Sequence, residues 1–200
     1  MSIDLDQLDR CTRCVRMRRQ FRVLRRDFED YWNRPVPPSG DPQAPLLIVG
    51  LAPGKQGANR TGRPFVGDAS GALLFGVLES LGIQDRVRIT NAVKCLPMAN
   101  HPNAAEVNNC QRFLAAELTT AAVILVLGGI AHRAAVKALG CRQVDFPFAH
   151  GAVHHLANCV LIDSYHCSRY NTQTGRLTEA MFRDVVESAA RYAGLPILTV

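Results

Sequence analysis

The sequence predicts an α/β fold, a three-layer α/β/α sandwich around a central sheet of four parallel strands. Three observations predict it. Four short apolar runs rich in Val, Ile and Leu recur along the chain, helix-spaced stretches separate them, and 200 residues with 48% hydrophobic content suit one core. Strands that read as unbroken apolar runs are those buried on both faces, as in parallel sheets. Alternation with helices then covers the sheet on both sides. Residues 1–200 are accordingly read as a single domain.

The elements follow in order. Residues 1–34 form a basic N-terminal segment, helix-prone over 5–34, that contains Cys11-Thr-Arg-Cys14. Its first residues are acidic and polar, unlike a signal or transit peptide. Residues 35–45 carry five prolines and a glycine and read as an extended connector. The apolar runs Leu46 to Leu51, Val87 to Val93, Ala121 to Leu127 and Cys159 to Ile162 are the four expected strands. Between them, Asp68 to Leu81 places Leu73, Leu74, Val77, Leu78 and Leu81 at helical spacing. Asn103 to Thr119 can start on an Asn cap with Glu106 three residues on, close to a capping box. Ile130 to Leu139 and Leu177 to Tyr192 complete the helices. No apolar run approaches the ~20 residues of a membrane span. A cytoplasmic protein without a membrane partner is the expectation.

The formal net charge is +6, and 20 of the 23 basic residues are Arg, with Lys only at 55, 94 and 137. Nine arginines lie between Arg10 and Arg34. Arginine forks match phosphates and are weakly hydrated, so the cluster points toward nucleic acid. Seven cysteines, an odd number, argue against a disulfide framework. Cys11, Cys14, Cys95 and Cys110 could hold zinc or an iron–sulfur cluster. The wide spacing of the second pair is unlike a zinc ribbon, and Cys95 and Cys110 could equally be buried thiols.

In such sheets, ligands bind beyond the carboxyl ends of the strands. The loop there, Gly50 to Gly71, carries glycines at 50, 54, 57, 62, 67 and 71 and feeds a helix near Asp68, which suits close backbone approach to a ligand. It matches neither a Walker A loop nor a dinucleotide fingerprint. The loop after the last strand, Asp163 to Arg176, gathers His166, Tyr165, Tyr170, Arg169 and Arg176. A histidine alone is commonly structural. At a strand's carboxyl end, opposite a glycine-rich loop, His166 reads as a site residue.

Three motifs resemble the uracil-DNA glycosylases of the iron–sulfur branch, most closely the type-B group (family 5). They are GLAPGKQGANRTGRPFVGDASG from Gly50, TNAVKC at Thr90–Cys95 and SYHCSRYNTQTGRLT from Ser164. The resemblance spans about Cys11 to Tyr192. It implies a monofunctional DNA glycosylase of base-excision repair, a small monomer that flips uracil, and often hypoxanthine or xanthine, out of DNA and leaves an abasic site. It also implies a 4Fe–4S cluster on Cys11, Cys14, Cys95 and Cys110. Catalysis would rest on Asp68, acting on the water or the sugar cation, and on His166, bonding the uracil O2. Gly50, Ala52, Phe65, Asn91 and His166 would bind the base, with Phe65 stacking on it and Asn91 reading its amide edge. Arg60, Arg63, Ser168, Arg169, Tyr170 and Asn171 would contact DNA, Arg169 and Tyr170 within the groove. Relatives focused on uracil carry an acidic or amide residue near Ala52. Here Leu51 and Ala52 are apolar, as in the type-B group, which moves the carboxylate to Asp68. The family's usual proline after the motif histidine is Cys167 here, which puts the stiffness of the His166 loop in question. The alternatives are a non-catalytic iron–sulfur module for damaged or single-stranded DNA, and a small-molecule hydrolase using Asp68 and His166.

Overall fold

All four apolar runs form strands, and a fifth strand joins them. The structure is a computed structural model that describes residues 5–198. The expected spans 1–200 and 1–34 therefore include positions 1–4 and 199–200, which lie outside the described residues. The helix-prone N-terminal segment forms two helices, α1 (Leu5–Asp9) and α2 (Val15–Asp27), on either side of the Cys11 to Cys14 stretch. The proline-rich connector runs extended to β1 (Leu46–Gly50), touching the sheet through a Ser39–Ile89 bridge. After β1 come α3 (Ala58–Thr61), α4 (Ala69–Ser80), β2 (Val87–Asn91), α5 (Ala104–Leu118), β3 (Val123–Leu127) and α6 (Gly129–Ala138). Then follow β4 (Val153–His155), β5 (Val160–Ser164), α7 (Arg169–Gln173) and α8 (Glu179–Tyr192).

The sheet order is β2-β1-β3-β5-β4, with β4 antiparallel to β5 and the other pairs parallel. The expected four-stranded parallel sheet is thus a five-stranded mixed one. Val153, His154 and His155 are too short and too polar a run to read as a buried strand, and as an edge strand they need no second apolar face.

Side chains alternate across the sheet. Leu46, Ile48, Leu125, Leu127 and Ile162 face α4 and α8, meeting Leu74, Leu78, Phe182 and Val186. Leu47, Val49, Ile124, Val126 and Leu161 face α5 and α6, meeting Leu114, Leu118, Ala131 and Ala135. Every residue of β1 and β3 is buried, so both faces are covered. Asn103 caps α5 in the expected capping box, its side chain accepting from Glu106 N–H while Glu106 accepts from Asn103 N–H. Among the described residues, no helix is long and apolar enough to cross a membrane.

β1 sits between β2 and β3, so the chain crosses over it and reverses direction in the strand order. The carboxyl ends around β1 are the switch point where a crevice opens in such sheets.

Candidate active site

A cleft of about 410 Å³ opens at that point, lined among others by Ala52, Gly54, Phe65, Asp68, Asn91 and His166. The loops after β1 and β5 face each other across it, as the sequence reading requires. Its size falls within the ~300–1,000 Å³ range of small-molecule sites.

Asp68 is the N-cap of α4, its Oδ1 accepting from Gly71 N–H at 2.9 Å. Its other oxygen, Oδ2, rests in a cradle made by two glycines. A Cβ on Gly57 would lie 2.2 Å from Oδ2 and one on Gly54 3.3 Å. The carboxylate is thus half held by the helix and half presented to the cleft. Phe65 is buried with a left-handed φ of 61°. Such a backbone is costly for a large side chain, and Gly71 leaves room for it: a Cβ there would meet the Phe65 carbonyl oxygen at 1.5 Å. Gly50 contributes by having no side chain. A Cβ at that position would lie 2.5 Å from Asn91 Oδ1 and 2.6 Å from the Phe65 ring. The aromatic and the amide therefore converge over the end of β1. Asn91, buried at the end of β2, pairs in register with Gly50.

His166 lies near Phe65, ring centroids 6.1 Å apart and planes 25° from parallel. Its ring Nδ1 is enclosed and makes no hydrogen bond among the described residues. Burial holds its pKa below the ordinary value, with the Asp68 carboxylate acting in the opposite direction. A buried ring with a perturbed pKa beside a cleft marks His166 as a candidate site residue. Cys167 is buried, its thiol donating to the Ser70 carbonyl at 3.5 Å, and burial pushes its pKa up to about 12. It ties the His166 loop to the start of α4 and is no nucleophile.

The side chains expected at DNA divide into two groups. Arg60, Arg63, Arg169 and Tyr170 are exposed, Tyr170 at 71%. Ser168 and Asn171 have internal work. Ser168 caps α7, and Asn171 Nδ2 donates to the His166 carbonyl at 2.8 Å. Ala52 lines the cleft and also packs against the cluster of Met17, Val93 and Cys110, as do Cys14 and Cys95.

Those cysteines belong to a second cavity of about 500 Å³, walled by Cys11, Cys14, Cys95 and Cys110 with Met17, Lys94 and several arginines. Cysteines from three separate stretches of the sequence therefore line one cavity. Burial and the neighbouring thiols raise the Cys95 pKa well above its ordinary value, and burial pushes Cys110 to about 11. A separate trio of ligand atoms, from His132, His154 and Asp163, lies within 4.8 Å of one another. Lys94 links the two cavities. Its fully buried Nζ donates to Asn91 O at 2.7 Å, to Thr90 Oγ1 at 2.7 Å and to Glu117 Oε2 at 2.6 Å. Arg16, two residues beyond Cys14, grips Glu106 with two nitrogens and reaches the His101 carbonyl, at the lip of the cleft.

Sequence reasoning missed the residues behind His166. Asp163 is buried at the end of β5, with His132 Nδ1 at 2.7 Å from one oxygen and His154 Nε2 at 3.0 Å from the other. The signal available was a run of histidines in a segment that carried no motif.

Comparison with known proteins gives one family. A model of the uracil DNA glycosylase superfamily matches residues 37–190. A type-5 uracil-DNA glycosylase of Thermus thermophilus is 44% identical, covering 92% of this chain and 93% of its own. One from Pyrobaculum aerophilum is 42% identical over 92% and 88%, and one from Mycobacterium leprae 40% over 92% and 91%.

Proposed function

This chain belongs to the uracil DNA glycosylase superfamily, and on that premise we propose that it is a monofunctional DNA glycosylase that hydrolyses the N-glycosidic bond of deaminated bases. Uracil is the first substrate, with hypoxanthine and xanthine beside it. The observation that carries this reading is the convergence of Phe65, Asp68, Asn91 and His166 on one cleft.

A base inside a duplex is out of reach, so the nucleotide must be flipped out at a cost of a few kcal/mol. Phe65 offers a ring face and Asn91 an amide to the extruded base. The bond from C1′ to the base nitrogen then breaks, its electron pair leaving with the base. The sugar becomes oxocarbenium-like, and Asp68 supplies the opposing charge. Water adds at C1′ and gives up a proton, which Asp68 is placed to accept. The departing base is anionic, and a proton on His166 can meet its carbonyl oxygen. Removing one such donor typically costs ~3–4 kcal/mol of barrier. No charged side chain stands at Leu51 or Ala52 to reject a larger deaminated purine, which supports the wider range.

Cys11, Cys14, Cys95 and Cys110 would hold a 4Fe–4S cluster, whose chemistry here is cross-linking of distant segments rather than reaction with the base. One CxxC with a second, widely spaced pair, unlike the two CxxC pairs of a zinc ribbon, supports a multi-iron group over a single zinc. The test is a panel of duplexes carrying uracil, hypoxanthine, xanthine or a thymine mismatch, incubated with purified protein and then treated with alkali. Strand breaks at uracil, and more slowly at hypoxanthine or xanthine, are expected. Binding without any alkali-labile site would leave a DNA-binding module instead.

A further inference from the structure

We propose that His150 is a positioning residue for base excision, acting through the backbone of the His166 loop. This rests on the glycosylase reading above and adds to it a residue outside the three motifs.

The end of β5 is paired differently on its two sides. On one side, the ladder to β3 closes with the Gly128 N–H donating to the Ser164 carbonyl at 2.8 Å. On the other side, the pairing to β4 continues past the strand through Gly151 N–H to Asp163 O (2.8 Å) and Asp163 N–H to Ala152 O (3.0 Å). Alternate amides of β5 point this way, so the next one is Tyr165 N–H. The backbone opposite has already turned away, with Ala152 N–H donating to Ala149 O at 3.0 Å. A side chain takes the place of the missing carbonyl. Tyr165 N–H donates to His150 Nδ1 at 3.1 Å, and the two rings stack at 4.8 Å with 12° between planes.

His166 is the next residue. Its loop is therefore held on two sides, by His150 at the amide before it and by Asn171 at its own carbonyl. His150 is itself held. Asp163 Oδ2 accepts from Ala149 N–H, and His132 and His154 brace the same carboxylate, His132 also reaching the Phe146 carbonyl at 2.8 Å. The buried polar cluster that forms no part of the cleft thus has a purpose: it fixes the turn that presents His150. The role requires Nδ1 to act as acceptor, which specifies the tautomer with the proton on Nε2. An amide acceptor beside a catalytic loop is worth keeping because a misplacement of about 1 Å can cost ~100-fold in rate.

The experiment compares His150→Phe with His150→Asn. Phe retains a ring for Tyr165 and has no acceptor, whereas the Asn oxygen sits where Nδ1 was. Single-turnover excision of uracil by saturating enzyme should fall about 10- to 100-fold in the Phe variant and stay within about threefold of wild type in the Asn variant, with DNA affinity unchanged in both. Equal rates in the two variants, or a loss confined to DNA binding, would overturn the proposal. Wild-type protein gives a second reading should the Phe variant not fold. Long-range proton–nitrogen NMR should find His150 Nδ1 without a proton and the Tyr165 amide slow to exchange. A proton on Nδ1 would equally end the proposal. If wild type releases no base at all, the glycosylase reading fails, and the NMR result still decides the tie between His150 and Tyr165.

Discussion

Asp68 does two things with two oxygens, and the two can be separated. Oδ1 caps α4 and Oδ2 faces the cleft over Gly54 and Gly57. Asn is as good an N-cap as Asp, whereas Ala loses about 0.5–2 kcal/mol. Asp68→Asn should therefore melt like wild type and lose most turnover while still binding DNA. Near-normal cleavage of uracil duplex by that variant would remove Asp68 from the reaction. His150 and His166 make a second prediction, in stability. Burial lowers both pKa values below the ordinary 6.5. Above that value the folded and unfolded states are both neutral and contribute nothing to the pH slope. Below it the unfolded chain binds protons first, so stability should fall as the pH drops, levelling only once the folded pKa values are passed. Melting temperatures between about pH 7.5 and 5 should show that fall, and His150→Asn should reduce it. The aspartate and histidine were legible because each stands in a long motif at a strand's end. His150 was not, because its role is a hydrogen bond to a backbone amide, and sequence carries no mark of which amide lacks a partner.

At the scale of elements, α2 is the case where sequence and structure divide most clearly. Its arginines marked it as basic, and its cysteine pair marked it as a candidate ligand segment. Nothing local says that Met17 packs with Val93 and Cys110, or that Arg16 reaches the lip of the cleft. Those contacts bring the helix to the loop after β2. On the cluster proposed above, Cys110→Ser should weaken the visible thiolate-to-iron absorption by removing one ligand. It should also loosen α2 while leaving the sheet, since both main cores lie on other helices. Hydrogen exchange is the readout: faster exchange over residues 15–27 with β1 and β3 still protected. Uniform loss of protection would show instead that the cysteine cavity supports the whole molecule. Strand β4 shows the opposite failure. Its three residues have no apolar run to announce them, and they pair only because β5 leaves an open edge.

The whole molecule carries a net charge of +6, with Arg60, Arg63 and Arg169 exposed on the segments after β1 and β5. Phosphate contacts release counterions, so affinity for uracil-free duplex should drop steeply with salt, by an order of magnitude or more between about 50 and 200 mM. Arg60→Ala and Arg63→Ala together should flatten that slope and leave the single-turnover excision rate unchanged at saturating enzyme. An unchanged slope would place the DNA elsewhere. By itself the sequence determined the layered α/β class, the four apolar strands, the helices between them and the capping of α5. These follow from local periodicity and from side-chain chemistry written in contiguous motifs. Only the tertiary structure decided which distant groups meet: four cysteines around one cavity, Lys94 between that cavity and Asn91, and His150 beneath the His166 loop. Such pairings depend on how the chain crosses over β1 and turns after β4, and a crossover is a property of the packed sheet rather than of any stretch of residues.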